Sequence, residues 1–205
     1  MTTNRTRNTL LGTTLATAVL GTLALAPTTA LAEKEQYVLD TDGQHAFVQW
    51  RIQHLGYSWL YGRFNDFGGE FTYDTENPEN SSIEVNIDTT SIDSNHAERD
   101  KHLRGEEFFH VDEYPEARFV STNIRGMGDG NETFTIVGDL TLKGVTKEVE
   151  IEAEEVGHGK DPWGGYRRGF QGTTEIRLKD FNIDYDLGPA SRTAELELAI
   201  EGIRQ

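Results

Sequence analysis

An alternation of period two limits the fold of this chain more than any other feature. Ala194, Leu196, Leu198 and Ile200 share one parity, and Glu195, Glu197 and Glu201 take the other. Successive side chains of an extended strand point to opposite faces, so the pattern predicts a strand with one face in an apolar interior and one in water. Val48, Trp50, Ile52 and His54 stand against Gln49, Arg51 and Gln53 in the same way. So do Ile83, Val85 and Ile87 against Glu84, Asn86 and Asp88, and Val149, Ile151 and Ala153 against Glu148, Glu150, Glu152 and Glu154. Strands wet on one face belong to antiparallel sheets, because parallel sheets are covered on both.

Less regular stretches extend the pattern. Trp59 to Phe64 and Gly69 to Tyr73 flank Asn65-Asp66-Phe67-Gly68, a polar, glycine-bearing connection that predicts a hairpin. Phe134, Ile136, Gly138, Leu140 and Leu142 form one face of a long strand ending at Lys143-Gly144, and residues 118–125 and 170–178 add two more. One segment departs from the rhythm. Asn95-His96-Ala97-Glu98 has the form of a capping box, with Asn95 as cap, and predicts a helix of about two turns carrying Leu103. Phe108 and Phe109 follow, and Tyr114-Pro115 closes the insert because proline has no amide for a ladder. The insert is expected to lie across one end of the sheet. About eight or nine strands predict an all-β, antiparallel barrel of about eight strands with a short helical insertion, since closure removes exposed edges. A two-sheet sandwich has the same periodicity.

The first 32 residues are set apart. Arg5 and Arg7 are the only charges before Glu33, a threonine-diluted apolar stretch runs from Leu10 to Ala26, and Ala30-Leu31-Ala32 offers small residues where a signal peptidase reads. This predicts a signal peptide over 1–32, one domain over 33–205, and a periplasmic or secreted location; an uncleaved anchor is the alternative. Removing the leader leaves 173 of 205 residues, with all 35 acids and 17 of the 19 bases, for a formal charge of −18. Such a surface repels phosphate backbones and anionic lipid headgroups, so neither a nucleic-acid partner nor stable membrane insertion after cleavage is expected. Excess acid with scarce lysine is expected of a high-salt habitat. Equal resistance to unfolding in dilute buffer and molar salt would remove that expectation. The absence of cysteine excludes disulfides, thiolate chemistry and a lipid anchor on cysteine.

A barrel of about eight strands either fills its interior with side chains or holds one small ligand. Parity predicts a lining of Trp50, Ile52, Phe64, Phe71, Phe119, Phe134, Ile136, Tyr166 and Phe170. That wall suits a long apolar molecule, and it equally describes a packed core. Inward Gly62, Gly138 and Gly172 either leave room for a guest or relieve bends. His54 is a head-group candidate, or a core histidine satisfied by backbone or water. His96, Asp100, His102, Glu106 and His110 form a His/acid run without a recognised metal spacing, so no metal is expected. The glycine-rich stretch 126–130 lacks the lysine and hydroxyl of a phosphate loop, and no G-x-S-x-G elbow occurs.

Several motifs then converge on one family. His54-Leu55-Gly56 and Gly62-Arg63-Phe64, Ser91-Ile92-Asp93, Arg99-Asp100-Lys101-His102-Leu103, Phe108-Phe109, Tyr114-Pro115 with Phe119, and the run from Gly138 to Lys147 resemble the bacterial YceI family of polyisoprenoid-binding, lipocalin-like proteins. The resemblance covers essentially all of residues 33–205. It implies an extended lipocalin-like barrel, often dimeric and usually periplasmic, that carries polyprenyl chains, isoprenoid quinones or fatty-acid derivatives and is not an enzyme. Carried over by motif, the ligand positions are His54, Phe64, Leu103, Phe108, Phe109, Tyr114, Phe119 and Leu140. The expected binding scheme admits the tail beneath the insert, with the head near His54, Arg99 or His102, and uses no cofactor. The alternatives are a protein-interaction or stress-response barrel with a filled core and, behind it, a lipid-modifying enzyme built on His96, His102 or His110.

Overall fold

The computed structural model describes residues 1–2, 34–128, 130 and 133–205. The signal peptide predicted over 1–32 therefore lies, beyond its first two residues, outside the described residues. Eleven strands form one antiparallel sheet: β1 (Lys34–Leu39), β2 (Phe47–His54), β3 (Ser58–Phe64), β4 (Phe67–Asp74), β5 (Ser82–Asp88), β6 (Ile92–Asp93), β7 (Glu116–Arg125), β8 (Thr133–Leu142), β9 (Val145–Lys160), β10 (Tyr166–Arg177) and β11 (Thr193–Arg204). Pairing of β1 with β11 closes it into a barrel.

The registers reduce eleven strands to eight staves. β11 pairs through its last residues with β1, as in Val38 opposite Ile203, and through its first residues with β2, as in Trp50 opposite Leu196. β1 and β2 therefore run in line with residues 40–46 between them. β3 and β4 are likewise in line, β3 on β2 and β4 on β1, and β5 and β6 follow on β4 and β3. The hairpin predicted at Asn65-Asp66-Phe67-Gly68 is thus a corner within one stave, and Phe67 and Gly68 already belong to β4. The chain reverses instead between β2 and β3, at Leu55-Gly56, whose φ of +52° and +79° suit a tight turn closed by the Tyr57 amide donating to the His54 carbonyl at 2.9 Å.

The interruptions after β3 and β5 are stitched together, and the latter is tied to the segment before β7. The Asp88 amide donates to the Asp66 carbonyl at 2.9 Å and the Asn65 amide to the Ser91 carbonyl at 3.3 Å. Thr89, 1% exposed, donates its hydroxyl to the Tyr114 carbonyl at 2.8 Å.

The helix, α1 (Ala97–Arg104), begins one residue later than the capping box implied. His96 is the cap, its Nδ1 accepting from the Arg99 amide at 3.2 Å, while Asn95 turns the chain at φ +60°. Glu98 is therefore out of position for the box. Arg104 ties α1 to the wall by donating to the Thr90 and Ile92 carbonyls at 2.7 and 2.8 Å. Behind α1, Phe108, Phe109 and Leu103 plug this end of the barrel against Trp50, Ile52, Phe64, Ile92 and Phe181.

Candidate ligand-binding site

The opposite half of the barrel is not filled. A cavity of about 110 Å³ lies among the inward faces of β4, β5, β7, β8, β9, β10 and β11. A water molecule needs about 10–15 Å³ of such space, so several methylene-sized groups fit. The wall is almost wholly carbon, with exposed Ser82 and Gln171 at its margins. Six of the residues predicted as ligand positions border it: Phe71, Phe119, Phe134, Ile136, Leu140 and Phe170. The Phe170 ring meets those of Phe71 and Phe134 edge-on, at 5.6 and 6.0 Å between centroids. Tyr73, Ile83, Ile124, Met127 and Ile151 also border the cavity. Parity carried a signal for Tyr73, Ile83 and Ile151; Ile124 is on the opposite parity to Phe119 and is brought inward by a register shift between Ser121 and Asn123, and Met127 lies in the turn after β7.

The remaining predicted positions lie elsewhere. Trp50, Ile52, Phe64, Leu103 and Phe109 are packed together at the helix end, with Phe64 edge-on to Phe109 at 5.6 Å, and Phe108 is buried beside Ala117 and Leu142. Tyr114 packs its ring where a side chain on Gly144 would stand. Tyr166 lies under the Arg204 guanidinium at 4.4 Å. The inward glycines at Gly62 and Gly138 are covered by the Trp50 and Phe119 rings, so they seat aromatic neighbours and leave no space for a guest. Gly172 does border the cavity, though Ile151 stands 2.8 Å from where its Cβ would be.

Of the head-group candidates, His54 is exposed at the end of β2, and Arg99 donates to the Ser94 hydroxyl and carbonyl at 2.7 and 2.6 Å. His102 pairs with Glu107 at 2.8 Å. None of the three borders the cavity. The His/acid run does not converge either: Asp100 accepts from the Ser94 amide at 2.8 Å, and His110 faces Glu113 at 3.4 Å. Among the described residues one His/carboxylate triple gathers, Asp40, His45 and Glu201, and Arg167 already supplies the cation there. Hydrogen bonds from Arg167 and then His45 hold the Asp40 carboxyl down to about 2.

A second charged group, missed in the sequence, stands on the inward face. Arg168 pairs with Gly202 as Phe170 pairs with Ile200, so it lies on the same face as Phe170, two residues nearer the end away from α1, and contacts cavity-lining Tyr73 without itself bordering the cavity. Its guanidinium lies 3.6 Å from the Tyr73 ring centroid, 2.9 Å from the Glu155 carboxylate and 3.8 Å from Glu35. Tyr37, fully buried, donates to Glu35 at 2.7 Å, and burial followed by that carboxylate pushes its hydroxyl up to about 12. Burial opposes the charge on Arg168, yet Tyr37 and Glu155 outweigh it and the pKa stays above the ordinary value.

The YceI-like domain pattern matches residues 37–202. A UPF0312 protein of Ectopseudomonas mendocina is 53% identical over 199 residues, spanning 97% of this chain and 99% of that one. Among solved structures, Burkholderia cenocepacia BcnA overlays with a TM-score of 0.70 at 20% identity, covering 80% of this chain and 98% of that one. A polyisoprenoid-binding domain from Saccharophagus degradans, implicated in plant cell wall breakdown, overlays with a TM-score of 0.58 at 15% identity, covering 82% and 98%. The expected lipocalin-like barrel is the fold these proteins share. A domain pattern over most of the sequence and a relative more than half identical along nearly its full length agree, and the chain belongs to the YceI-like family.

Proposed function

We propose that the protein is an exported, non-enzymatic carrier that holds a long apolar tail, isoprenoid or fatty-acyl, inside its barrel. The apolar cavity between the plugged end and Arg168 carries this reading. Each methylene buried there contributes about 0.8 kcal/mol, so affinity follows tail length until the space is full. The plug of Phe108 and Phe109 argues for access from the end opposite α1, which revises the scheme in which the tail passes beneath the insert. Tyr73 is the one titratable side chain among the described residues bordering the cavity, and burial raises its pKa, so the lining offers no acid/base pair. The polyisoprenoid-binding neighbour supports the ligand class. The leader-like residues 1–32 support export, and a homodimer belongs to the same reading.

Native mass spectrometry of gently purified protein, followed by loading with prenyl and acyl chains, reports bound lipid and subunit number together. Finding no lipid and failing to load any chain would remove the carrier reading. A second reading, a protein-interaction barrel, is favoured by the exposed apolar tip of the β2–β3 hairpin, where Leu55, Tyr57 and Tyr61 are 56%, 87% and 52% exposed. It predicts binding partners that Tyr57→Ser abolishes without change in lipid content.

A further inference from the structure

One buried donor at the cavity end is unused by the fold. Arg168 is 5% exposed, and its Nε–H has no hydrogen-bond partner among the described residues. A donor taken out of water and left unpaired costs stability, so it calls for a partner that the bare protein does not supply. Trp50 Nε1 is unpaired too, but it is enclosed in the packed cluster with Ile52 and Phe64 at the plugged end. Arg168 differs. It shares the inward face with Phe170 and Ile200, and its guanidinium lies over Tyr73; all three of those residues line the cavity.

The charges around Arg168 select the kind of partner. Glu155 and Glu35 face it, Glu35 is shared with Arg204 at 2.5 Å, and His158 pairs with Glu155 on the outer side. Two guanidiniums already match two carboxylates. An anionic head would bring an unmatched charge into a desolvated site, whereas an uncharged acceptor oxygen would take the free Nε–H without disturbing the balance. Resting on the carrier reading, we infer that Arg168 anchors the ligand by donating its Nε–H to the carbonyl oxygen of an uncharged head group, an ester, ketone or amide. The tail then runs past Tyr73 and Phe170 toward Phe119 and Leu140, with the head at the end of the barrel away from α1.

The test is a competition among chains that differ only at the head. Delipidated protein is offered an equimolar mixture of methyl palmitate, palmitate and hexadecane, and the captured chains are extracted and counted by mass spectrometry. The ester is expected to exceed both others by about tenfold, the worth of one hydrogen bond from a charged donor. In Arg168→Met the ester-to-alkane ratio falls to about one. Should that variant fold poorly, the wild-type protein still decides: its Arg168 Nε–H resonance shifts with methyl palmitate and stays in place with hexadecane. Equal capture of ester and alkane, a preference for palmitate, or the same Nε–H response to ester and alkane overturns the anchor and leaves the carrier standing. Capture of no chain at all removes the carrier and the anchor with it.

Discussion

The two ends of this barrel share one wall and one alternation, yet they are completed differently. At the helix end, Phe108, Phe109 and Leu103 enter from outside the sheet and meet Trp50, Phe64 and Ile92, so nothing is left to fill. At the far end aromatic and aliphatic side chains of the staves, with Met127 from the turn after β7, leave a cavity of about 110 Å³. Its outer rim is tied by charge: Arg167 binds Asp40, Asp161 and Glu201, joining residues 40–46 to β10 and β11. Parity decides which side chains face inward; the volume brought by a separate segment decides whether they meet.

The contrast can be broken from either side. Phe108→Ala is expected to cost the most, about 3–5 kcal/mol, because it opens a void in the packed end. Urea unfolding measures it, and a loss below 1 kcal/mol (roughly the cost of one small truncation) would show the plug to be loose. Gly62→Ala drives a methyl into the Trp50 ring and should cost about 1–3 kcal/mol, whereas Gly68→Ala, with nothing within 4 Å of its added carbon, should stay within about 0.5. Similar losses at both glycines would mean that Trp50 does not hold its seat.

Acid should act on the open end. Asp40 titrates at about 2 in the folded protein against an ordinary value of 3.8, so its contribution is complete above the ordinary value and disappears as pH falls through about 2. That contribution is about 1–2 kcal/mol after solvent screening. Asp40→Asn should remove it at neutral pH and flatten stability across this window. Hydrogen exchange should show the start of β10 loosening before the plugged end, and simultaneous loosening would refute the division. Ala153→Leu is expected to act on binding more than on stability, filling the cavity at a cost below about 1.5 kcal/mol while abolishing capture of acyl and prenyl chains. Unchanged capture would place the ligand elsewhere.

Much of this division was written in the sequence, and part of it could not be. The clean alternation of β2, β5, β9 and β11 identifies which of their residues face inward. It is silent on height along the barrel axis, which is why Trp50 and Phe134, alike in parity, end up in a packed cluster and a cavity wall. Asn65-Asp66 has the polarity of a turn, but a corner within a stave needs the same residues, and only pairing partners tell them apart. Asn95 and His96 are both able to cap a helix, and the left-handed backbone at Asn95 settles which does. Arg168 escaped notice because a charged residue on the inward parity reads as the end of a strand pattern. Its shared parity with Phe170 and Gly172, two and four residues on, was the available signal.

The interruptions after β1, β3 and β5 lie on three adjacent staves, while the other five run unbroken. One flank of the wall is consequently two panels joined along a seam, and the rest is a single sheet. Because the unbroken β11 is bonded to β1 in one panel and to β2 in the other, any displacement of either panel is carried into β11 through its ladder bonds.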